Sequence, residues 1–386
     1  MKKLLTGLIF SILALTSAIL YVNTASKAEA TYYSQALGSA IKNRVINGRF
    51  VIDQRNNGAA VTVNSTAQTF GPDRWFGAGQ TASTPGVFTL TRSASTPPEG
   101  ESTFLRVETT TADASIDANA TYNIFHRVEG YNWTDMGWGA TGAKQVTLSF
   151  KVRTSISGTQ TWSGFFANNA PDRCYLFQFQ TTAANTWQDI ALTVPGDITG
   201  TWNTTNQIGV QFSVSLTTGA SQVGTPGSWS GTFKYGVSGQ TQLLSTLNAT
   251  LDFSKVQLEA GVIATPFEFR LFSQELLMCQ RYCHQIGVAG SSVYIGAVRV
   301  ESATQAYILI PLPCVMRTAP TPSTLDTASL GVYDGVSNNG QLNTNFYIDG
   351  GPHGMIYCTG FSALTANRIG YGYVNSNKWL RFDAEL

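Results

Sequence analysis

The residues best suited to chemistry in this 386-residue chain sit in one stretch, Tyr131-Asn-Trp-Thr-Asp-Met-Gly-Trp138. Flat aromatic rings can stack on sugar rings, while amides and carboxylates hydrogen-bond the hydroxyls. Trp133 and Trp138 are therefore the expected platform of a carbohydrate site, with Asn132 and Asp135 at its edge. The competing reading folds one or both tryptophans back onto the body of the protein, since Trp is highly buried on average. Trp162, flanked by Thr161 and Ser163, and Trp202 beside Asn203 are weaker candidates of the same kind.

Other chemistries find less support. A glycosidase needs two carboxylates facing each other across a substrate. Glu99/Glu101 and Asp113/Asp117 fall in polar loops, where solvated surface acids are the simpler reading. A Ser/His/Asp triad would have to recruit His126, His284 or His353, and no nucleophile-elbow sequence accompanies any of them. A non-enzymatic chain is expected. Cys279, Cys283 and His284 raise the question of a metal. On a helix the two thiols would share a face, but His284 would point about 100° away, and a structural zinc needs further ligands. No acidic loop marks a calcium site. Neither metal nor cofactor is expected. The five cysteines are scattered and odd in number, so they read as small buried apolar residues rather than a disulfide framework.

The elements that must position these residues are strands. Val87–Thr91, Phe104–Glu108, Val146–Val152, Tyr175–Phe179, Ile190–Val194 and Val210–Leu216 alternate apolar with polar residues. That pattern buries one face and wets the other, as in an antiparallel sandwich. Pro195-Gly196, Ser157-Gly158 and Thr218-Gly219 supply turns. Asn47-Gly48 is a further turn, with Phe50 and Ile52 inward and Trp75 and Trp187 as core anchors. A short helix is expected from Ser273, as N-cap, to about His284, with Glu275 in its first turn. Beyond it strands resume at Val293–Val300, Ala306–Leu312, Phe346–Ile348, Met355–Cys358 and Trp379–Phe382. The expected fold is all-β: an antiparallel jelly-roll β-sandwich over 44–271, then over 272–386 the short helix and a second, smaller β domain.

Charged residues make up only 12% of the chain, and the formal net charge is +1. Without a Lys/Arg stripe the chain is a poor nucleic-acid binder, because phosphate neutralisation supplies most of that affinity. A glycan suits such a surface better. Residues 1–30 read as a secretion signal: Lys2 and Lys3, an apolar run from Leu4 to Val22, then Ala28-Glu-Ala30 as a small-x-small cleavage pattern. The run over residues 4–22 is nearly long enough to span a bilayer, so an uncleaved anchor is the alternative. Cleavage would remove three lysines and one glutamate, taking the charge from +1 to −1. Residues 31–43 form a lead-in segment.

Several ordered phrases resemble those of a β-sandwich module of bacteriophage tail fibres and related virion proteins. They are Val45-Ile-Asn-Gly-Arg-Phe-Val-Ile-Asp-Gln-Arg55, Pro72-Asp-Arg-Trp-Phe76, Val256-Gln-Leu-Glu-Ala-Gly261, Ala264-Thr-Pro-Phe-Glu268 and Leu277-Met-Cys-Gln-Arg-Tyr282. The strands Val146–Val152 and Trp187–Gly196 are also similar to those of jelly-roll carbohydrate-binding modules. Ile310–Pro320 and Leu380–Leu386 resemble a terminal fibre-tip β domain. The resemblance implies a virion or surface attachment protein, often a trimer, facing a cell-surface glycan or polysaccharide. A secretion signal departs from that pattern, since virion proteins assemble in the host cytoplasm, and it opens an exported, cell-surface location instead. A purely structural protein and a polysaccharide-degrading spike are the alternative functions.

Overall fold

The computed structural model describes residues 42–80, 86–287, 290–324, 329–336, 338–340, 353–361 and 364–386. The expected leader, nearly all of the lead-in and the expected strand Phe346–Ile348 lie outside the described residues. Asn43–Leu386 forms one compact unit.

Two antiparallel sheets make the sandwich. The first runs, in spatial order, Val61–Val63, Val87–Ser93, Phe104–Thr111, Thr250–Ala260, Val146–Thr154, Gln188–Val194. The second runs Trp229–Ser230, Cys174–Thr181, Gln160–Ala167, Ile208–Thr218, Thr121–Glu129, Trp75–Gln80, Thr69–Phe70. Neighbours in space are mostly distant in sequence, as a jelly roll requires. Phe88, Leu105, Phe150 and Phe253 meet Trp162, Phe166, Phe177 and Phe212 in the core between the sheets. Thr121–Glu129 and Gln160–Ala167, strands that the sequence patterns above do not include, are largely covered on both faces. Phe233, Tyr235 and Val237 lie over the outer side of the second sheet at Phe165, Ala167, Cys174 and Leu176.

The opening and closing phrases of the sandwich fold against each other. Asn43 Oδ1 accepts from the amides of Val45 (2.9 Å) and Leu258 (3.0 Å), and its Nδ2 donates to the Val256 carbonyl at 3.1 Å. Asn47 ties the turn to the next phrase, donating to the carbonyls of Ile52 and Asp73 and accepting from the Ile52 amide. A side chain at Gly48 would place its Cβ 2.1 Å from the Val256 carbonyl oxygen, so only glycine fits this approach. Phe50, Ile52 and Trp75 are buried, as expected.

The helix is shorter than its sequence pattern suggests, Phe272–Gln280 with Leu271 as N-cap. Ser273 lies inside it, and Cys283-His284 has already become a strand, Cys283–Ile286, paired with Leu380–Asp383. The ladder across Cys283–Asp383 and His284–Phe382 captures residues that local periodicity alone would leave helical. Cys279 and Cys283 therefore share no helical face. All five cysteines are free thiols; four are buried and Cys314 is half-buried. Cys279 and Tyr282 pack with Ile46 and Ile52 in a small cluster under the helix.

Beyond the helix, six strands form one antiparallel sheet in the order Asn338–Gly340, Leu330–Tyr333, Ile369–Val374, Val293–Ser302, Gln305–Pro311, His353–Thr359. A three-stranded sheet, Cys283–Ile286, Leu380–Asp383, Thr321–Thr324, contributes Leu380 and Phe382 to the same core as Ile308, Val332 and Ile356. Buried ion pairs tie this part to the sandwich. Arg55 meets Asp383 (2.9 Å) and Glu385 (3.2 Å), and Arg74 meets Glu385. Arg281 Nε donates to Glu129 at 2.8 Å and the Tyr282 hydroxyl to the same carboxylate at 2.6 Å. Among the described residues no helix is long and apolar enough to cross a membrane.

Glu129→Ala leaves Arg281 and Tyr282 without their shared acceptor and is expected to cost about 2–4 kcal/mol in chemical denaturation. Burial lowers the His284 pKa from 6.5 to about 4. Within that window the unfolded chain binds a proton that the folded chain refuses, so stability falls as pH drops. The slope from this residue is up to about 1.4 kcal/mol per pH unit. Denaturation at about pH 7 and about pH 5 should show a smaller acid loss for His284→Gln than for the native chain.

Candidate functional site

The structure does not make a platform of Trp133 and Trp138. Both lie in the sandwich core, only 2% and 7% exposed, with perpendicular rings 4.8 Å apart. Trp138 also packs edge-on against Trp202 (4.7 Å) and Trp229 (5.1 Å), and Trp229 meets Tyr175 at 5.4 Å. Trp138 Nε1 donates to the Lys144 carbonyl and Trp202 Nε1 to the Thr199 carbonyl. Two short 3₁₀ turns, Gly130–Asn132 and Thr134–Met136, fold the stretch inward around Met136. The rings are thus a plug for one end of the sandwich. Asn132 and Asp135 remain at the surface, and Asp135 pairs with Arg44 at 2.6 Å. Trp162 is fully buried and donates to Thr181 Oγ1. Trp187, expected in the core, is instead half-buried on the outer side of the first sheet, with the Arg153 guanidinium 4.6 Å from its ring.

Three of the four acids considered for a glycosidase have structural partners for their carboxylates. Glu101 pairs with Arg49 at 2.7 Å, Asp113 accepts the Ser115 amide, and Asp117 accepts the Asn119 amide. Glu99, through its carbonyl, receives Lys255 Nζ. No group of three His, Cys, Asp or Glu among the described residues could hold a metal ion.

Exposed aromatic surface is found elsewhere, on the outer face of the six-stranded sheet. Strand alternation drives Ile295, Val298, Val300, Ile308, Ile310, Val332 and Val374 inward. The opposite parity carries Tyr294, Tyr307, Tyr333, Tyr357, Tyr371 and Tyr373. Cross-strand register gathers them: Tyr333 opposite Tyr371, Tyr294 opposite Tyr373, Tyr307 opposite Tyr357. The Tyr371 ring lies 4.9 Å from Tyr333 and 4.8 Å from Tyr294, and Tyr307 lies 4.9 Å from Tyr357. A bulge between Tyr294 and Gly296 keeps Tyr294 and Ala297 on the same outward side.

Tyr294 is 71% exposed and Tyr371 36%, while Tyr373 lies over Gly331, where a Cβ would come within 2.2 Å of its ring. Aromatic cover of a strand glycine anchors one tyrosine and leaves its neighbours free. Burial, then the nearby Tyr294, keeps the Tyr373 phenol above its ordinary pKa; desolvation and the adjoining Tyr294 hydroxyl do the same for Tyr371. Both stay neutral donors well above neutral pH. Arg299 and Glu301, paired at 2.9 Å, are the charges on strand Val293–Ser302, and Leu309 and Ile369 add exposed aliphatic surface. The sequence signal for this face was present in the parity of tyrosine against valine and isoleucine, as in Tyr307-Ile308, Val332-Tyr333 and Tyr373-Val374, although Ile369 falls on the tyrosines' side.

No protein-family model matches the sequence, and no curated protein resembles it significantly. Solved structures share a low-scoring likeness. The enzymatically active domain of tailspike protein 4 of bacteriophage CBA120 has 12% identity and a TM-score of 0.30, over 56% of this chain and 21% of that one. The CBM22-1 xylan-binding domain of Paenibacillus barcinonensis Xyn10C has 10% identity and a TM-score of 0.26, over 54% and 97%. A family 11 carbohydrate-binding module of Clostridium thermocellum, in complex with a β-1,3-1,4-mixed-linked tetrasaccharide, has 10% identity and a TM-score of 0.27, over 53% and 98%. This chain thus spans about a fifth of that tailspike domain. Scores this low carry no argument about what the chain binds.

The two aromatic groups should separate cleanly under mutation. Trp138→Ala is expected to lower stability by about 3–5 kcal/mol through cavity formation. Tyr294→Ala should change it by less than about 0.5 kcal/mol. Thermal and chemical denaturation of both variants checks this.

Proposed function

We propose that this chain is a non-enzymatic attachment protein of the phage tail-fibre kind, on a virion or exported to a cell surface, that binds a cell-surface glycan through its tyrosine-covered C-terminal sheet. The observation that carries this reading is the concentration of six outward tyrosines on one sheet face with, among the described residues, one self-neutralised ion pair beside them. Such a face offers aromatic surface and phenol hydrogen bonds but no cluster of charge, which suits a polyhydroxylated, uncharged partner. A nucleic acid would require several phosphate-neutralising cations there. Binding by a few stacked rings is weak, and presentation of several copies on one particle would multiply it.

The non-enzymatic reading draws support from the buried carboxylates. Glu129, Asp197 and Asp252 are each held by arginine, and Glu101 by Arg49, which suits structural anions. The second reading, a structural surface protein without a sugar site, draws on Ile369, 79% exposed, and Leu309, 52% exposed, which also suit a protein partner.

A glycan-array screen of the full chain tests the reading, with Tyr294→Ala/Tyr371→Ala as control. Specific binding that drops about tenfold or more in the folded double variant is expected. A blank array from folded protein would favour the structural reading, and binding undiminished in the variant would move the site off this face.

A further inference from the structure

The tyrosine face has one outward position that is small. Along strand Val293–Ser302 the exposed residues are Tyr294, Ala297, Arg299 and Glu301. Register sets Tyr371 beside Ala297 on one neighbouring strand and Leu309 beside it on the other. Directly opposed residues on one sheet face stand about 5 Å apart at Cβ. Tyr371 and Leu309 are themselves outward and exposed, so a phenol ring and an isobutyl group rise on either side of a single methyl. Along the strand itself, Tyr294 bounds this position at one end, brought round by the bulge, and Arg299 bounds it at the other. Ala297 is thus the floor of a shallow notch, and strand pairing joins its walls into one surface.

The floor and one wall of the notch are aliphatic. The other wall and one end are the phenols of Tyr371 and Tyr294, whose hydroxyls bond each other. Such a pair spends one hydroxyl proton on its own bond and keeps the second for an outside acceptor. Arg299, at the far end, is already paired with Glu301 at 2.9 Å. A plain hexose would set only hydroxyls against Ala297 and Leu309, where they lose water and gain no partner. An acetamido group brings a methyl for the aliphatic side to cover and a carbonyl to accept the spare phenol proton. We infer that the notch over Ala297 selects uncharged hexoses carrying a 2-acetamido group, with Ala297 and Leu309 as the specificity-determining residues. This rests on the glycan reading of the same face. A uronic acid meets an arginine whose charge is already spent, and a 6-deoxy sugar supplies a methyl without the acceptor.

Ligand-observed NMR titration of the full chain with matched neutral sugars tests it. The pairs are glucose with N-acetylglucosamine and galactose with N-acetylgalactosamine, and fucose serves as the arm with a methyl alone. In at least one pair the acetamido member should bind about tenfold or more tightly than its hydroxyl partner, the discrimination that one well-placed apolar group can supply. Ala297→Leu fills the notch at an exposed strand position, where the fold should survive. It should bring the ratio toward one while the hydroxyl member binds as before. Leu309→Ser removes the aliphatic wall and provides the same readout should Ala297→Leu fail to fold. Equal affinity within both pairs, a preference undiminished in both variants, or fucose bound as tightly as the acetamido sugars would overturn the inference. Equal affinities that Tyr294→Ala/Tyr371→Ala abolishes would leave the glycan reading standing and remove this inference alone. No binding by any of the sugars would remove both.

Discussion

Buried charge at the junction between the sandwich and the C-terminal sheets is the constraint on which the rest of this structure depends. Arg55 and Arg74 come from the chain opening, Glu129 from a sandwich strand, Arg281 from the turn after the helix, and Asp383 and Glu385 from the last strand and tail. Arg317 adds donations to the carbonyls of Ala384 and Glu385 at 2.7 Å each. Each ion would be costly to bury alone, and each is tolerated because a partner from a distant segment arrives with it. Such pairs add little net stability, but breaking one strands the other, so they specify which surfaces meet. Here they join the first fifty described residues, the helix and the final strand into one compact unit.

That constraint explains why the opening and closing phrases of the sandwich are so specific in residue type. Asn43 and Asn47 satisfy backbone groups of segments about two hundred residues away or across a turn, which no apolar residue can do. Gly48 admits the Val256 carbonyl, and Arg270 and Glu275 close the arrangement from the segment entering the helix.

The two aromatic populations show how position decides use. The tryptophans near Trp138 sit in loops and in the two-residue edge strand Trp229–Ser230, where they pack edge to face. The tyrosines sit in strands, where pleat and register fix their direction, and the sheet that buries valine and isoleucine must display them. Phenol tolerates that exposure better than indole or phenyl, because its hydroxyl remains hydrated.

Strand identity and the all-β class were legible in the sequence, because alternation with period two reports directly on which face is buried. The strands from Val87, Phe104, Val146, Cys174, Gln188, Ile208, Val293 and Gln305 lie where alternation put them. Thr121–Glu129 was less legible, since Phe125 and His126 interrupt the alternation of Tyr122, Ile124 and Val128. The fate of Trp133 and Trp138 was also beyond the sequence: a loop tryptophan has no periodicity to fix its direction, and Trp138 lies inward among Trp133, Trp202 and Trp229. The sequence likewise placed tyrosines at one parity of several strands, but spatial neighbours are set by register. Tertiary structure alone decided that Tyr294, Tyr333 and Tyr371 share a face, because pairing among strands far apart in the chain is written in the packing of the whole core and in no single segment.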